Sequence, residues 1–583
     1  MDLEEATKNM VIGSGFGTAP FATNSSGHQR PAMSLSDAIH SLQPYDKIVQ
    51  IIEDNPAAVK DKGWHGLTPM HKAGLRGDRD VTKLLMQHGA NINEPNDYGE
   101  TPVHYACKRG NPVNIHEMVQ AGGDIRVTDS AGRNALHHAA SGGCVAAMHY
   151  LSEVCGMSFN DRDRNGQMAI HIVCYQGFQD AVKYLLRKQR SSVSSTDNFG
   201  NTAIHIACVN ALSETCWTLL ENSNCAILTQ QNRDGKTPLD ILLDGRTSSH
   251  LYVYKEMEYW SRSRNPKAPP KGPLFTWFFM LLLPFLAFSL IVYIGTFLGW
   301  YSSLVVCAMT LYLVGYVGFR SHRLSHISRW SNPVFCGAFA AGLIHTSVCY
   351  CVILLPDLWY EQPVFHIIIA IPLILIMFYL YIYLLLREPG GCRISKPGPT
   401  LNDPCMTIKH VALGLCKLDE FCPQCEIIKP ERCRHCKLCE QCRIDMDHHC
   451  LFLLGCIAKN NHRQFVIFIF IVLIAQIMFV CNSMHWLVLM YPHGTWYDLS
   501  LLACQFQCWL LALMMLNFAS IFWGVNLLKY QLGVVSYGVT TVWKPHKCVH
   551  SRLPWRHRLN NVMNFLAGKR TLTADDVYST HKI

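Results

Sequence analysis

The sequence predicts an all-α chain of 583 residues made of two unlike parts, a solenoid of helical repeats followed by a six-helix polytopic membrane domain that carries a cysteine-rich module on its cytosolic side. Three observations predict this. A motif recurs every 33 to 35 residues in the N-terminal half, charged residues vanish from three long stretches of the C-terminal half, and eight of the 26 cysteines crowd between Cys422 and Phe465. Hydrophobic residues make up 49% and charged residues 16%, too apolar for a fully soluble protein and too polar for a pure membrane bundle. A formal charge of +9 is modest for this length; it points to anionic membrane lipid or phosphate groups and gives no case for nucleic acid as a partner. The first forty residues open acidic (Asp2, Glu4, Glu5) and hold no apolar signal core, so the cysteines read as reduced thiols facing the cytosol and not as a disulfide framework.

Residues 1–44, rich in Gly, Ser and Asn, read as a disordered tail. From 45 to 258, a glycine keeps a fixed phase at Gly66, Gly99, Gly132, Gly166, Gly200 and Gly235. After each comes a variant of one signature: Thr68-Pro69-Met70-His71, Thr101-Pro102-Val103-His104, Asn134-Ala135-Leu136-His137, Met168-Ala169-Ile170-His171, Thr202-Ala203-Ile204-His205 and Thr237-Pro238-Leu239-Asp240. The period identifies a solenoid and the signature is that of ankyrin repeats. Proline suits the first helical turn, and the apolar residues after it face the neighbouring repeat. The row of histidines reads as hydrogen-bonded braces between repeats, because a metal needs ligands that converge.

A polar linker (259–273) precedes the membrane domain. No Asp, Glu, Lys or Arg occurs between Gly272 and Phe319; from Trp330 to Leu386 the only ones are Asp357 and Glu361, and from Gln464 to Leu528 only Asp498. One span takes about 20 residues, so helices one to four are placed in 274–386 and helices five and six in 464–529. His345 and His485 read as helix-packing groups. Arg320, Arg323 and Arg329 put the loop between spans two and three in the cytosol, and with it both termini and the cysteine-rich segment at 387–463. The C-terminal tail, 530–583, has no acidic residue up to Arg570 and carries Lys544, Lys547, Arg552, Arg556, Arg558, Lys569 and Arg570, a solvated positive face or a surface for anionic lipid head groups or a phosphate-bearing substrate.

Within the cysteine-rich segment, Cys422-x2-Cys425, His435-Cys436-x2-Cys439-x2-Cys442, and His449 with Cys456 offer eight ligands. Eight divide into two closed tetrahedral Cys3His sites, which are structural zinc sites. A loop this short has little apolar material, so two bound Zn2+ ions would supply its folding energy. Cys433 falls outside the pattern.

At the end of the segment, Asp447-His448-His449-Cys450 resembles the defining motif of the DHHC protein acyltransferases, and ankyrin repeats ahead of six spans resemble its huntingtin-interacting, ankyrin-bearing subgroup. The resemblance implies transfer of palmitate from palmitoyl-CoA to cysteines of substrate proteins through an acyl-enzyme. It also implies one zinc on Cys422, Cys425, His435 and Cys442 and the other on Cys436, Cys439, His449 and Cys456. Asp447, His448 and Cys450 are left for catalysis. A thioester is attacked by a thiolate, so His448 would take the Cys450 proton while Asp447 orients the imidazole. Glu388-Pro389-Gly390, Asn461 to Phe465 and Asn561 to Phe565 resemble further family elements. Two elements depart: the family's Pro-Trp and Asn-Cys become Leu451-Phe452-Leu453-Leu454-Gly455-Cys456, and its Thr-Thr-x-Glu becomes Thr540-Thr541-Val542-Trp543. The partners implied are cytosolic and membrane-associated proteins with acceptor cysteines, gathered by the repeats, and the compartment implied is Golgi or other endomembrane. The other functional class is a membrane scaffold whose repeats gather partners without acyl transfer.

Overall fold

The computed structural model describes residues 33–262, 274–297, 333–392, 408–491, 507–541 and 554–569, with single positions at 305, 308, 309, 312, 316 and 571. Its N-terminal part is the expected stack of helix pairs. The signature helices, Pro69–Arg76, Pro102–Arg109, Ala135–Ser141, Ala169–Gln176, Ala203–Val209 and Pro238–Asp244, begin at the residues the motif marks. The solenoid starts earlier than the sequence suggested. Helix Leu35–His40, within the stretch expected as a tail, is capped by the Ser34 hydroxyl and buries Leu35 and Ile39 in the repeat core.

The signature histidines are braces. His71 Nδ1 accepts from the Thr68 N–H at 3.1 Å, which leaves Nε2 to donate to the Glu100 carbonyl of the next repeat at 3.0 Å. His104 repeats this with Thr101 and Val127, and His171 and His205 with the carbonyls of Ser195 and Gln230. Burial, with His138 beside it, pushes His104 down to about 3 from an ordinary 6.5; burial likewise lowers His71, His137, His171 and His205. The folded solenoid therefore keeps these rings neutral where the unfolded chain would protonate them. Stability is fully present above about pH 6.5 and falls as the pH drops toward His104's folded value, by ~1.4 kcal/mol per unit for each proton taken up on unfolding. Hydrogen-exchange protection of the signature helices, corrected for intrinsic rate, is expected to fall on acidification from about pH 7 to about 5. Unchanged protection would show that the rings are not held neutral.

Among the described residues four helices are long and apolar enough to cross a membrane: α2 (Val334–Leu358), α3 (Pro363–Leu386), α4 (His462–Met490) and α5 (Trp509–Ser536). Before them, α1 (Leu274–Phe297) is a helix of 24 residues that packs on α2. The expected second span lies mostly outside the described residues, so the count of six is not established. Large apolar side chains cover the outside of the bundle, such as Phe518, Phe522 and Met515 at 69, 74 and 74% exposure on α5, as lipid requires. His345 packs as expected, between Phe285 and Phe288 and bonded to Ser289. His485 does not: its Nε2 meets Glu361 at 2.8 Å, next to a Trp486 to Asp357 bond of 2.7 Å. The two acidic residues between spans three and four thus tie that loop to α4.

The cysteine-rich module sits between bundle and solenoid. It is made of three two-stranded antiparallel hairpins, β1 (Phe421–Cys422) with β2 (Ile427–Ile428), β3 (Cys433–Cys436) with β4 (Gln441–Ile444), and β5 (His448–Cys450) with β6 (Gly455–Ile457). The short helix Ile408–Ala412 ahead of it packs on Pro112–Gln120 and Val145–Glu153 of the solenoid, and Phe421 stacks on His149 at 5.6 Å. Glu426 and Glu440 follow the two Cys-x2-Cys turns and take the same left-handed conformation, φ 57° and 50°. Both reach the solenoid: Glu426 pairs with Lys188 and Arg190, each at 2.6 Å, and Glu440 with Lys183 at 3.0 Å. Arg190 and Glu426 are only 9 and 13% exposed, so this pair is shielded from solvent. Glu426→Gln keeps the shape and removes the charge; it is expected to weaken the joint by about 2 kcal/mol, read as faster hydrogen exchange at 408–412 and 421–428 with the signature helices unchanged.

Candidate active site and metal centres

The eight predicted ligands gather into two groups of four, Cys422, Cys425, His435 and Cys442, and Cys436, Cys439, His449 and Cys456, with the ligand atoms of each group within 4.8 Å of one another. In the first, His435 Nδ1 lies 3.6, 3.3 and 3.9 Å from the three sulfurs. In the second, His449 Nδ1 lies 3.7, 3.4 and 3.7 Å from its three. Tetrahedral zinc with bonds of about 2.3 Å to sulfur and 2.0 Å to nitrogen separates such atoms by roughly 3.5 Å. The donor set therefore fits two zinc ions, and the turns are built for thiolate: the N–H of Cys425 points at Cys422 Sγ and that of Cys439 at Cys436 Sγ, both at 3.4 Å. A third cluster, Glu100, Asp129 and His138, is satisfied without metal, since Asp129 accepts from Arg133 at 2.8 Å and meets His138 at 3.1 Å.

The β5–β6 hairpin divides labour between its faces. Successive strand residues point to opposite sides. His449 is paired with Cys456 and turns to the second metal group, while His448 and Cys450 share the other face. Asp447, fully buried, receives the His448 Nδ1 proton donor at 2.8 Å, which leaves Nε2 as the nitrogen not engaged by Asp447, with Cys450 two residues on along the same strand face. Burial would push Asp447 up, but the bond to His448, the nearby His462 and the Thr541 and Gln531 donors outweigh it and hold the carboxylate well below its usual range. Burial works against a charged His448 as well; Asp447 and Cys450 overcome it and lift the ring to about 9. The arrangement is a base that can hold a proton taken from a thiol.

Cys450 opens on a cavity of about 310 Å³ with almost wholly apolar walls, running between α4 and α5. On α4 it is lined from Phe465 through Phe468, Ile469, Val472 and Leu473 to Gln476, one face of the helix over about 16 Å at 1.5 Å per residue. Gln476 donates to Ser520 across the cavity at 2.8 Å.

Two functional side chains were not foreseen from the sequence. His462, at the start of α4, bonds Gln531 Oε1 of α5 at 2.9 Å, and Gln531 Nε2 donates to Asp447 at 3.0 Å. The signal for them was weak: Gln531 is one of five glutamines between Gln464 and Gln531, and it lies just past Lys529. Such a buried amide indicates a partner. Gln531→Leu strands both neighbours and is expected to slow labelling of Cys450 by about 10-fold, with zinc content unchanged; unaltered labelling would leave Gln531 a packing residue.

Comparison with known proteins matches residues 416–547 to the family model described as DHHC palmitoyltransferase, and residues 70–121 and 110–197 to ankyrin-repeat models. The chain carries a DHHC palmitoyltransferase domain behind ankyrin repeats. Palmitoyltransferase akr1 of Aspergillus oryzae is 29% identical over 149 residues, 26% of this chain and 20% of the relative. Palmitoyltransferase akr1 of Emericella nidulans is 27% identical over 262 residues, 42% of this chain and 34% of the relative. Palmitoyltransferase ZDHHC15A of Danio rerio is 47% identical over 49 residues, 8% of this chain and 15% of the relative. The matched regions thus span about a third or less of these relatives' lengths.

The DHHC domain gives the first departure noted in the sequence a place on the cavity wall. Residues 451–454 form the turn of the β5–β6 hairpin, with Leu454 left-handed at φ 49°. From it Phe452 reaches Phe339 at 5.9 Å and Trp523 at 5.5 Å, putting an aromatic ring on the cavity wall. The Thr-Thr element still meets the site, since the Thr541 N–H donates to Asp447 at 2.7 Å; Trp543, in place of the glutamate, is outside the described residues.

Proposed function

We propose that this protein is a membrane-embedded protein S-acyltransferase that moves palmitate from palmitoyl-CoA to cysteines of other proteins through a thioester on Cys450. The carrying observation is that Cys450 shares a strand face with His448 at the mouth of a long apolar cavity. His448, oriented by Asp447, takes the Cys450 proton; the thiolate attacks the acyl carbonyl, and the departing CoA thiolate receives the proton from His448. In the second half, His448 deprotonates the acceptor thiol, which attacks the thioester and releases Cys450. The acyl chain occupies the cavity, where each buried methylene contributes roughly 0.8 kcal/mol. The two groups of four ligands would hold two zinc ions that brace the hairpins, and with every tetrahedral position filled by protein neither ion would supply a nucleophile. The solenoid docks to the domain through its outer helices, which leaves its signature-helix face for substrate proteins. Basic residues beside the spans support termini and DHHC domain in the cytosol, on Golgi or other endomembranes.

The test is the purified, zinc-loaded protein with clickable palmitoyl-CoA and a cysteine peptide. A hydroxylamine-labile label on the protein, chased to the peptide, is expected. A zinc-replete protein that takes no label would instead be a scaffold.

A further inference from the structure

The helix α6 (Trp555–Leu566) packs back on the end of α5: Asn561 Nδ2 donates to the Ser536 carbonyl at 3.0 Å, and the Arg558 guanidinium lies over the Tyr537 ring at 4.5 Å. At 3.6 residues per turn it has three faces. Asn561 and Phe565 turn to the protein, and Phe565 meets His462 edge-on at 5.1 Å. His557, Asn560 and Asn564 form a polar face. Trp555, Leu559, Met563 and Leu566 fall in one arc of about 80° and are 69, 55, 59 and 40% exposed. Nothing in the chain's described residues covers this stripe, although burying each such side chain is worth about 1.5–3 kcal/mol.

Location and charge identify what does. α6 packs on the C-terminal end of the membrane-crossing α5, whose last turns expose Tyr530 at 49% beside Lys529. Residues 529–570 contain no Asp or Glu, and Arg556 sits over the Trp555 ring at 5.6 Å. An apolar stripe with a tryptophan, edged by cations and without acidic residues, is the pattern of a helix lying in a bilayer interface. We propose that α6 lies in the membrane interface on the side of the DHHC domain, its Trp555–Leu566 stripe among the acyl chains and Arg556, Lys569 and Lys529 on the head groups of anionic phospholipid. This contact reaches the reaction centre. Phe565 packs on His462, His462 holds Gln531, and Gln531 holds Asp447. Anionic lipid therefore steadies the carboxylate that orients His448.

The lipid contact rests on α5 crossing the membrane and not on acyl transfer, so its photolabelling test needs no chemistry at Cys450; only the coupling to Asp447 is read there. The full, zinc-loaded chain is placed in nanodiscs of phosphatidylcholine, with or without phosphatidylserine, containing trace diazirine-bearing lipid of the matching head group. Photolysis and peptide mapping are expected to mark Trp555, Leu559, Met563 and Leu566 and spare Asn560 and Asn564, several-fold more strongly with phosphatidylserine. Labelling of Cys450 is expected to be slower in phosphatidylcholine alone, and slower in both discs for the double variant Leu559→Asp with Met563→Asp, zinc content unchanged. Marks on Phe518 and Phe522 without marks on 555–566 would overturn the proposal. So would equal marking by both lipids, or a stripe crosslinked to a second copy of the chain.

Discussion

Replacing Cys450 by serine is expected to abolish labelling by palmitoyl-CoA, and with it transfer to a peptide, by at least about 1,000-fold. The size follows from the nucleophile. The thiolate is the attacking species, whereas a serine hydroxyl in the same place stays protonated and is a poor attacking group for a thioester. His448→Ala is expected to cost less, about 100-fold to 10,000-fold, because it removes the base and leaves the thiol. The loss in Cys450→Ser is a chemical loss and not an unfolding. Cys450 belongs to neither group of four ligands and sits on the face of β5 opposite His449. Zinc analysis should still find two ions per chain in the variant, and the joint with the solenoid should exchange hydrogen at the wild-type rate. A variant that retains the hydroxylamine-labile label would show that another cysteine carries the acyl group.

What the sequence could and could not reveal divides along contact distance. The repeat phase, the apolar stretches and the Cys-x2-Cys turns are patterns within a few tens of residues, and each reports a local physical need: a Cβ-free turn, a span without charge, a metal knuckle. The structure gathers the eight ligands into the two groups that the family resemblance implies. Helix Leu35–His40 was overlooked because six residues carry too little periodicity to stand out beside a Gly- and Ser-rich tail. The hairpins were also missed, since strands of two to four residues have no alternation to read and exist here because metal ligands close them. The contacts that connect the parts are long-range. Gln531 and Asp447 are 84 residues apart, and Arg190 and Glu426 are 236 apart. In the sequence, Glu426 and Glu440 are two acidic residues in a polar loop. Only the fold shows that each follows a knuckle and meets the same basic stretch at Lys183 to Arg190.

Loss of one zinc ligand is expected to empty both sites, because the two ligand sets are interleaved on one hairpin. Along β3 and β4, His435 pairs with Cys442 across the strands and both serve the first group, while the adjacent Cys436 serves the second. Hairpins this short are not stable in water on their own, whereas a structural zinc supplies about 10–16 kcal/mol of folding energy. Cys442→Ser therefore removes more than one ligand. It frees the strand that positions Cys436, and the second ion loses its frame. Zinc content is expected to fall from two ions per chain to well below one, and labelling of Cys450 to drop by more than about 100-fold, since β5 is held by His449 and Cys456 of the second group. The damage should also reach the solenoid, because Glu440 lies in the turn between β3 and β4 and pairs with Lys183. Faster exchange at 183–190 is the signature of that route. A variant that keeps one full zinc and labels normally would mean that the second site, with the β5–β6 hairpin, folds independently of the first.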